Sequence, residues 1–366
     1  MRTIDNHVWK AAGLAEGRSM ADVELDPAGG MAAGSGRSGK AATLHDVARK
    51  VGVAPRTVSR VVNDEGGYSE TTRQRILDAI EELRYRPNLL ARGLITRRSG
   101  TVGLVVNDLT DPLVLALAAS AQDSFREQGR SMFFASSDDD ADRQGAILQS
   151  LWSHAVDGMI VIPVRDSYRQ LVDYVRRGVP IVVVGDLVGA QNVTRVMFDL
   201  DGGFRLAVGH LLDTGRRSIG VIGSAASPYG RCPGQEGIGN AFFASDARTQ
   251  LVRAEPTVSG GAAGLEQLLE LRPDLDGVLA CNDMVAIGAV AAAQARGRRV
   301  PEDIAVIGCN DIDSGAVVTP SLTTIRLDAS LLAGAVAVAL QGLIDEPGVQ
   351  RDPVVLPVEL VVRDSG

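Results

Sequence analysis

The sequence predicts an α/β protein built on parallel sheets and preceded by a small all-α helix-turn-helix module. Three observations carry this expectation. From Thr101 onward, short runs rich in Val and Ile alternate with helical segments, the pattern of strands covered on both faces and joined by crossover helices. Between Thr43 and Asn63, TLHDVARKVGVAPRTVSRVVN reads as two short helices flanking a glycine turn. The formal charge of −8 is also uneven: residues 43–99 carry +4, residues 1–42 carry none, and the remaining 267 residues carry −12. A basic module on a larger acidic body fits a polyanionic partner met at one end only.

Taken in order, residues 1–42 end in AGGMAAGSGRSGKAA and are expected to form a disordered arm, with Met20 or Met31 as alternative starts of translation. In the helix Asp46 to Val51, Val47, Ala48 and Val51 share a face. Gly52 takes a turn that residues with a Cβ resist. Pro55 stands where a second helix begins, a position that does not need its missing N–H. That helix, Arg56 to Val62, turns Val58 and Val61 inward and Arg56, Thr57, Ser59 and Arg60 outward. A third helix, Glu70 to Arg84, has Ser69 as its N-cap and places Ile76, Ile80 and Leu83 on one stripe to close a three-helix core over residues 43–86. Tyr85-Arg86-Pro87 ends it. Within residues 87–99, Asn88 to Ile95 makes a two-turn helix containing Gly93. Such a helix is marginal alone in water and should stay largely disordered until a partner orders it.

The large domain, residues 100–366, shows two series of strand-like runs. The first is 101–106, 131–136, 158–163 and 180–185; the second is 195–198, 218–223, 250–254, 277–282 and 304–310. So many units point to two sheets with a cleft between them. Ligands of such folds sit at the carboxyl ends of strands. The polar candidates there are Asn107 and Asp108, Asp138, Asp186, Asn282 and Asp283, and Asn310 and Asp311, each of which could instead cap the next helix.

Several function classes are disfavoured. No apolar run approaches the roughly 18 residues of a membrane span, and the N-terminus lacks the apolar core of a secretion signal. Cys232, Cys281 and Cys309 have no ligand spacing and fit a reducing cytoplasm. The chain has no phosphate-cradling G-x-x-x-x-G-K-[ST], and Gly237-Ile238-Gly239 has no valid third glycine. His45, His154 and His210 are isolated and His7 lies in the arm. Neither a metal site, a cofactor nor an enzyme is expected.

From Thr43 to the C-terminus the chain resembles the lactose-repressor (LacI/GalR) family of bacterial transcription regulators. Three blocks in order carry the resemblance: TLHDVARKVGV with SRVVN and TRQRILDAIEELRYRPN, then NLLARGL, then VGLVV through CNDMVAIGA and PEDIAVIG to PSLTTIR. The resemblance implies that Pro55, Arg56 and Arg60 occupy positions reading base edges in the major groove. Pro55 has no side-chain donor, so the two arginines should carry most of the readout. Thr57, Ser59 and Asn63 match positions that contact phosphates or fix register. Ala54 departs from the capping Ser or Thr common at this helix start. Leu94 matches a leucine that wedges into the minor groove, with Asn88 and Ala91 in support.

For the large domain the resemblance implies a periplasmic-binding-protein-like effector domain of two discontinuous subdomains, with a first crossover near residue 199. Asp186 and Asp283 match positions that hydrogen-bond effector hydroxyls, and Phe198 matches a pocket-lining aromatic. Asp108 and Asn310 join them as effector-binding candidates. Two departures bear on the ligand. Gly234 stands where the family has an effector-clamping arginine, with Arg231 three residues earlier as the candidate substitute, and Asp111-Pro112-Leu113-Val114 replaces an aromatic N-P-F-F-like element. No leucine-heptad tail follows the last strands near Pro353 to Val362, so a homodimer on a pseudo-palindromic operator is expected. The reading is a cytoplasmic, nucleoid-associated regulator, a repressor of transcription controlled by a small-molecule effector such as a carbohydrate. The alternative is a regulator with a degenerate pocket that answers to a partner protein.

Overall fold

The computed structural model describes residues 42–62, 64–85, 98–164, 167–185, 193–224, 247–349 and 351–366. The chain divides into two compact units, one ending at residue 87 and one beginning at residue 88.

The first unit is three helices on one small core: α1 (Leu44–Val51), α2 (Pro55–Val62) and α3 (Glu70–Glu82). Helix α1 starts two residues before the sequence expectation because Thr43 caps it. Thr43 Oγ1 accepts from Asp46 N at 3.3 Å, and Asp46 Oδ2 accepts from Thr43 N at 2.9 Å, so two otherwise orphaned backbone donors are satisfied. Gly52, at φ 74°, closes the helix by donating its N–H to Ala48 O. Helix α2 has no side-chain cap from Ala54; its first turn hangs on the Ala54 carbonyl, which accepts from Thr57 N and Val58 N. Val47, Ala48, Val51, Val58, Val61, Ile76, Ala79 and Tyr85 form the buried core. On α3, Ile76 and Ala79 are buried, and Ile80 and Leu83 pack against the same core while only partly buried.

The second unit holds two six-stranded sheets. Strands β1 (Thr101–Val106), β2 (Ser131–Ser136), β3 (Gly158–Val161), β4 (Ile181–Val184), β5 (Thr194–Phe198) and β11 (Val354–Leu356) make one, in the order β11-β5-β4-β3-β1-β2. Strands β6 (Ser218–Ser224), β7 (Arg248–Ala254), β8 (Gly277–Ala280), β9 (Ala305–Asn310), β10 (Thr323–Arg326) and β12 (Glu359–Val361) make the other, in the order β12-β10-β9-β8-β6-β7. All neighbours are parallel except β10 and β12. Helices α4 (Pro112–Glu127), α5 (Ala141–Ser153), α6 (Tyr168–Arg176) and α11 (Ala329–Asp345) belong with the first sheet. Helices α7 (Leu200–Asp213), α8 (Val258–Leu271) and α9 (Asp283–Ala295), with the short α10 (Asp313–Val317), belong with the second. Each sheet therefore has two separate cores, with Phe125 and Leu148 buried in the two of the first sheet and Phe204 and Leu268 in the two of the second.

The chain passes between sheets three times. It leaves the first after β5, so that Phe204, Ala207, Val208 and Leu211 of α7 already pack on the second. It returns through α11, whose Leu332, Val336 and Leu340 lie in the first sheet's core. It crosses again between β11 and β12, two residues apart. Helices α8 and α9 lie nearly backbone to backbone: a Cβ on Gly261 would fall 2.0 Å from Val285 O, and one on Gly288 would fall 1.9 Å from Val258 O. The edge strand β2 corrects the expectation of strands covered on both faces, since Phe133 is 50% and Phe134 41% exposed.

At the point where the chain enters this unit, the side chain of Asp157, 2% exposed, collects four bonds. It accepts from Ser99 N (2.5 Å), Ser99 Oγ (3.0 Å), Gly100 N (3.1 Å) and Arg130 Nη1 (2.6 Å). Arg130 Nη2 donates to Gln341 Oε1 at 3.0 Å, Gln341 Nε2 to Asp345 Oδ2 at 2.7 Å, and Arg98 Nη2 to Asp345 Oδ1 at 2.8 Å. Residues 98–100 are thus clasped to α11 and to the start of β3.

Candidate functional site

In the first unit, α2 presents one polar face. Pro55 and Arg56 are exposed, Thr57, Ser59 and Arg60 are half-buried, and Val58 and Val61 point into the core. Arg56 and Arg60 are four residues apart and so share a side of the helix. Among the described residues neither forms an ion pair, whereas Arg49, Lys50 and Arg73 pair with Asp46, Glu82 and Glu70. Two guanidinium groups without a carboxylate are what bidentate recognition of an anion or a guanine edge requires. Asn63, Asn88, Ala91 and Leu94 lie outside the described residues.

In the second unit the polar candidates gather at strand carboxyl ends. After β1, Asp108 Oδ1 accepts from Thr110 N (2.7 Å) and Thr110 Oγ1 (2.8 Å), and Asn107 Nδ2 donates to Asp139 Oδ1 (3.2 Å). After β2, Asp138 accepts from Ser136 Oγ at 2.6 Å and pairs with Arg143. Burial pushes the Asp139 carboxyl above its usual range; Asn107 opposes this, while Asp108, Asp138 and Glu255 add to it. Glu255 follows β7 of the other sheet, so carboxylates from both halves feel one another. Asp111, the N-cap of α4, is likewise raised by burial.

Phe198, the last residue of β5, packs against the cores of both halves. Asn310 ends β9 with φ 123°, and Asp311 follows at φ 58°. Burial works to raise Asp311, but bonds from Arg326 and Arg363, each 2.6 Å, bring it below its usual range. Asp283 is fully buried at the start of α9, after Asn282, which caps Val285 N. Its Oδ1 accepts from Thr324 Oγ1 at 2.5 Å and its Oδ2 from Ile312 N at 2.8 Å, and burial raises its carboxyl. Both oxygens thus hold the segment after β9 against β10. Asp186 and Arg231 lie outside the described residues. Sequence reasoning did not find the partners Ile312, Thr324, Arg326 and Arg363, which lie 15–52 positions from the carboxylates they bond. The PSLTTIR block contains Thr324 and Arg326, whereas no signal marked Ile312 or Arg363.

A three-helix unit with an arginine-bearing second helix, joined to a two-sheet body whose strand ends face each other, defines a class: a DNA reader coupled to a ligand-binding body. Comparison with known proteins agrees. Residues 43–88 match the model of "Bacterial regulatory proteins, lacI family", and residues 208–366 match that of a "Periplasmic binding protein-like domain". The ribose operon repressor of Halalkalibacterium halodurans is 30% identical over 326 residues, covering 88% of this chain and 96% of that protein. The solved complex of transcriptional regulator CelR with cellobiose is 31% identical at a TM-score of 0.66, covering 89% of this chain and 100% of that one. The lac repressor dimer bound to operator and the anti-inducer ONPF is 27% identical at a TM-score of 0.81, covering 89% and 99%. The chain belongs to the lacI family of bacterial regulatory proteins. It is a transcription regulator, and the relatives described are regulators and not enzymes.

Proposed function

We propose that this regulator is a repressor that binds a pseudo-palindromic operator as a homodimer and changes its grip when a sugar-like effector enters between the two halves of its body. The observation that carries this reading is the face of α2, where Arg56 and Arg60 stand together without a carboxylate partner among the described residues. In this reading Arg56 and Arg60 read base edges beside Pro55, while Thr57, Ser59 and Asn63 meet the backbone. Asn88, Ala91 and Leu94 form the segment that enters the minor groove. Asp108, Phe198 and Asn310 face the effector, Asp283 supports the site from beneath, and Asp186 and Arg231 complete it.

A solved relative holds cellobiose and another relative is named for a ribose operon, which supports a carbohydrate effector here. A solved relative is a dimer on its operator, which supports the dimer. A protein reading operator DNA works in the cytoplasm at the nucleoid. Among the described residues no helix is long and apolar enough to cross a membrane. Linkage requires effector and operator to alter each other's affinity by one and the same factor.

The test is calorimetry of the full-length protein against mono- and disaccharides, nucleosides and phosphorylated metabolites, followed by operator binding with and without each hit. A sugar that binds and shifts operator affinity is the expected result. Silence across the panel would favour the second reading, control by a partner protein, which the internal occupation of both Asp283 oxygens supports.

A further inference from the structure

The loop between α2 and α3 contains two glycines with nearly the same backbone, Gly66 at φ +70° and Gly67 at φ +76°. Their surroundings differ. A Cβ on Gly66 would meet nothing within 4 Å. A Cβ on Gly67 would lie 2.1 Å from Nη2, 2.7 Å from Cζ and 2.9 Å from Nη1 of Arg60. The Arg60 guanidinium therefore lies where a side chain at position 67 would have to be. The loop under it is held: Glu65 N donates to Arg60 O at 2.9 Å, and the Tyr68 hydroxyl donates to Asp64 Oδ1 at 2.8 Å. Arg56, one turn earlier, is exposed, whereas Arg60 is half-buried. Arg60 is thus supported by a second piece of chain.

We infer that Gly67 is a specificity-positioning residue: by lacking a Cβ it lets the loop after α2 carry the Arg60 guanidinium, fixing the height and plane at which that fork meets a base pair. This rests on the reading of Arg60 as a base-contacting residue. An arginine that rests on its own loop loses less rotamer freedom on meeting DNA than one that waves in solvent. A side chain at 67 would push the guanidinium aside. That costs the fold little, because the displaced group is the far end of a flexible chain, but it spoils the planar geometry that bidentate recognition needs.

Gly66 supplies the matched control, since alanine there meets the same left-handed backbone strain and touches nothing. Full-length wild type, Gly66→Ala, Gly67→Ala, Arg60→Ala and the Arg60→Ala/Gly67→Ala pair are each used to select from a randomised duplex library, and base preference is read position by position. A bidentate arginine–guanine contact is worth about fivefold to 150-fold in discrimination, so Gly67→Ala should lose at least about threefold at the pair per half-site that Arg60 reads. Gly66→Ala should keep it, with a similar thermal midpoint. In the Arg60→Ala background Gly67→Ala should change nothing further. Should Gly67→Ala fold poorly, Gly67→Asn and Gly66→Asn make the same comparison, because asparagine tolerates left-handed backbone. Equal preference profiles for the two glycine variants would overturn the role of Gly67. An Arg60→Ala variant with the wild-type profile would instead overturn the reading of Arg60 beneath it.

Discussion

At the scale of single residues, Asp283 shows how a side chain can be important for a reason other than the one its sequence position suggests. From the sequence it is a carboxylate at a strand end, available to a ligand. In the structure it is fully buried and bonds Ile312 N and Thr324 Oγ1, 29 and 41 positions away. No local pattern reveals such partners, because they depend on how β8, β9 and β10 lie side by side. Truncating it leaves the buried Thr324 hydroxyl and the half-buried Ile312 N–H without their acceptor, at a cost of about 1–3 kcal/mol. Asp283→Ala should therefore lower the thermal midpoint and abolish the effector response while operator affinity without effector stays near wild type. A normal response measured by operator titration would remove Asp283 from the site.

A second residue sets a pH limit. Asp303 is bonded by Arg299 through both side chain and backbone, which lowers its carboxyl from 3.8 to about 2. Since the folded value is the lower one, its stabilisation is complete above the unfolded value and fades as pH falls through about 2. The pair is solvent-exposed, so salt should weaken the effect. Urea melts of wild type and Asp303→Asn between neutral pH and pH 2 should converge at the acid end, and converge throughout at high salt.

At the scale of elements, most of the fold was legible because the long strands and helices carry strong periodic signals. The three helices of the first unit and nine strand runs of the second stand within a few residues of their sequence expectation. What escaped was short or cooperative. The start of α1 depends on a reciprocal bond between Thr43 and Asp46, a capping pair outside the run of apolar residues. Strand β10, Thr323–Arg326, reads Thr-Thr-Ile-Arg and lacks the Val/Ile run that marks β4, which is no longer. The edge position of β2 is a property of sheet order, which Ser131–Ser136 cannot announce. The α8–α9 contact gives the element-scale prediction. Gly288→Ala places a methyl 1.9 Å from the Val258 carbonyl oxygen, where no flexible side chain can yield. It should destabilise the second unit by about 1–3 kcal/mol or more. Thermal unfolding should show the loss in the second unit, and hydrogen exchange in α1 to α3 should be unchanged.

At the scale of the whole molecule, two sheets could be counted in advance from the number of strand runs, but the grouping of the runs needs correction: 195–198, set in the second series, is β5 of the first sheet, paired with β4. The later crossings are two-residue links, Leu327-Asp328 before α11 and Pro357-Val358 between β11 and β12, beside strands of three or four residues, and leave no compositional mark. Large apolar side chains are exposed on two edge strands of the second unit, Phe133 and Phe134 on β2 and Leu251 on β7. Apolar edge strands of this kind are usually covered in the assembled protein. In the homodimer proposed above, replacing Phe133 and Phe134 together with glutamate should shift the protein toward monomer in sedimentation velocity and weaken operator binding, because one copy reads one half-site. A double variant that remains a dimer would place the interface elsewhere.

The return of the chain to both sheets near its end has a consequence for how the molecule comes into being. The core of the first unit is complete once Tyr85 has been made, whereas the second sheet waits for Glu359–Val361 to pair with β10. At roughly 5–20 residues per second, the interval is on the order of 14–55 s of synthesis. Throughout that time a nascent chain carries a finished helix-turn-helix and an unfinished body. The DNA-reading unit is therefore complete in sequence well before the body that would recognise an effector.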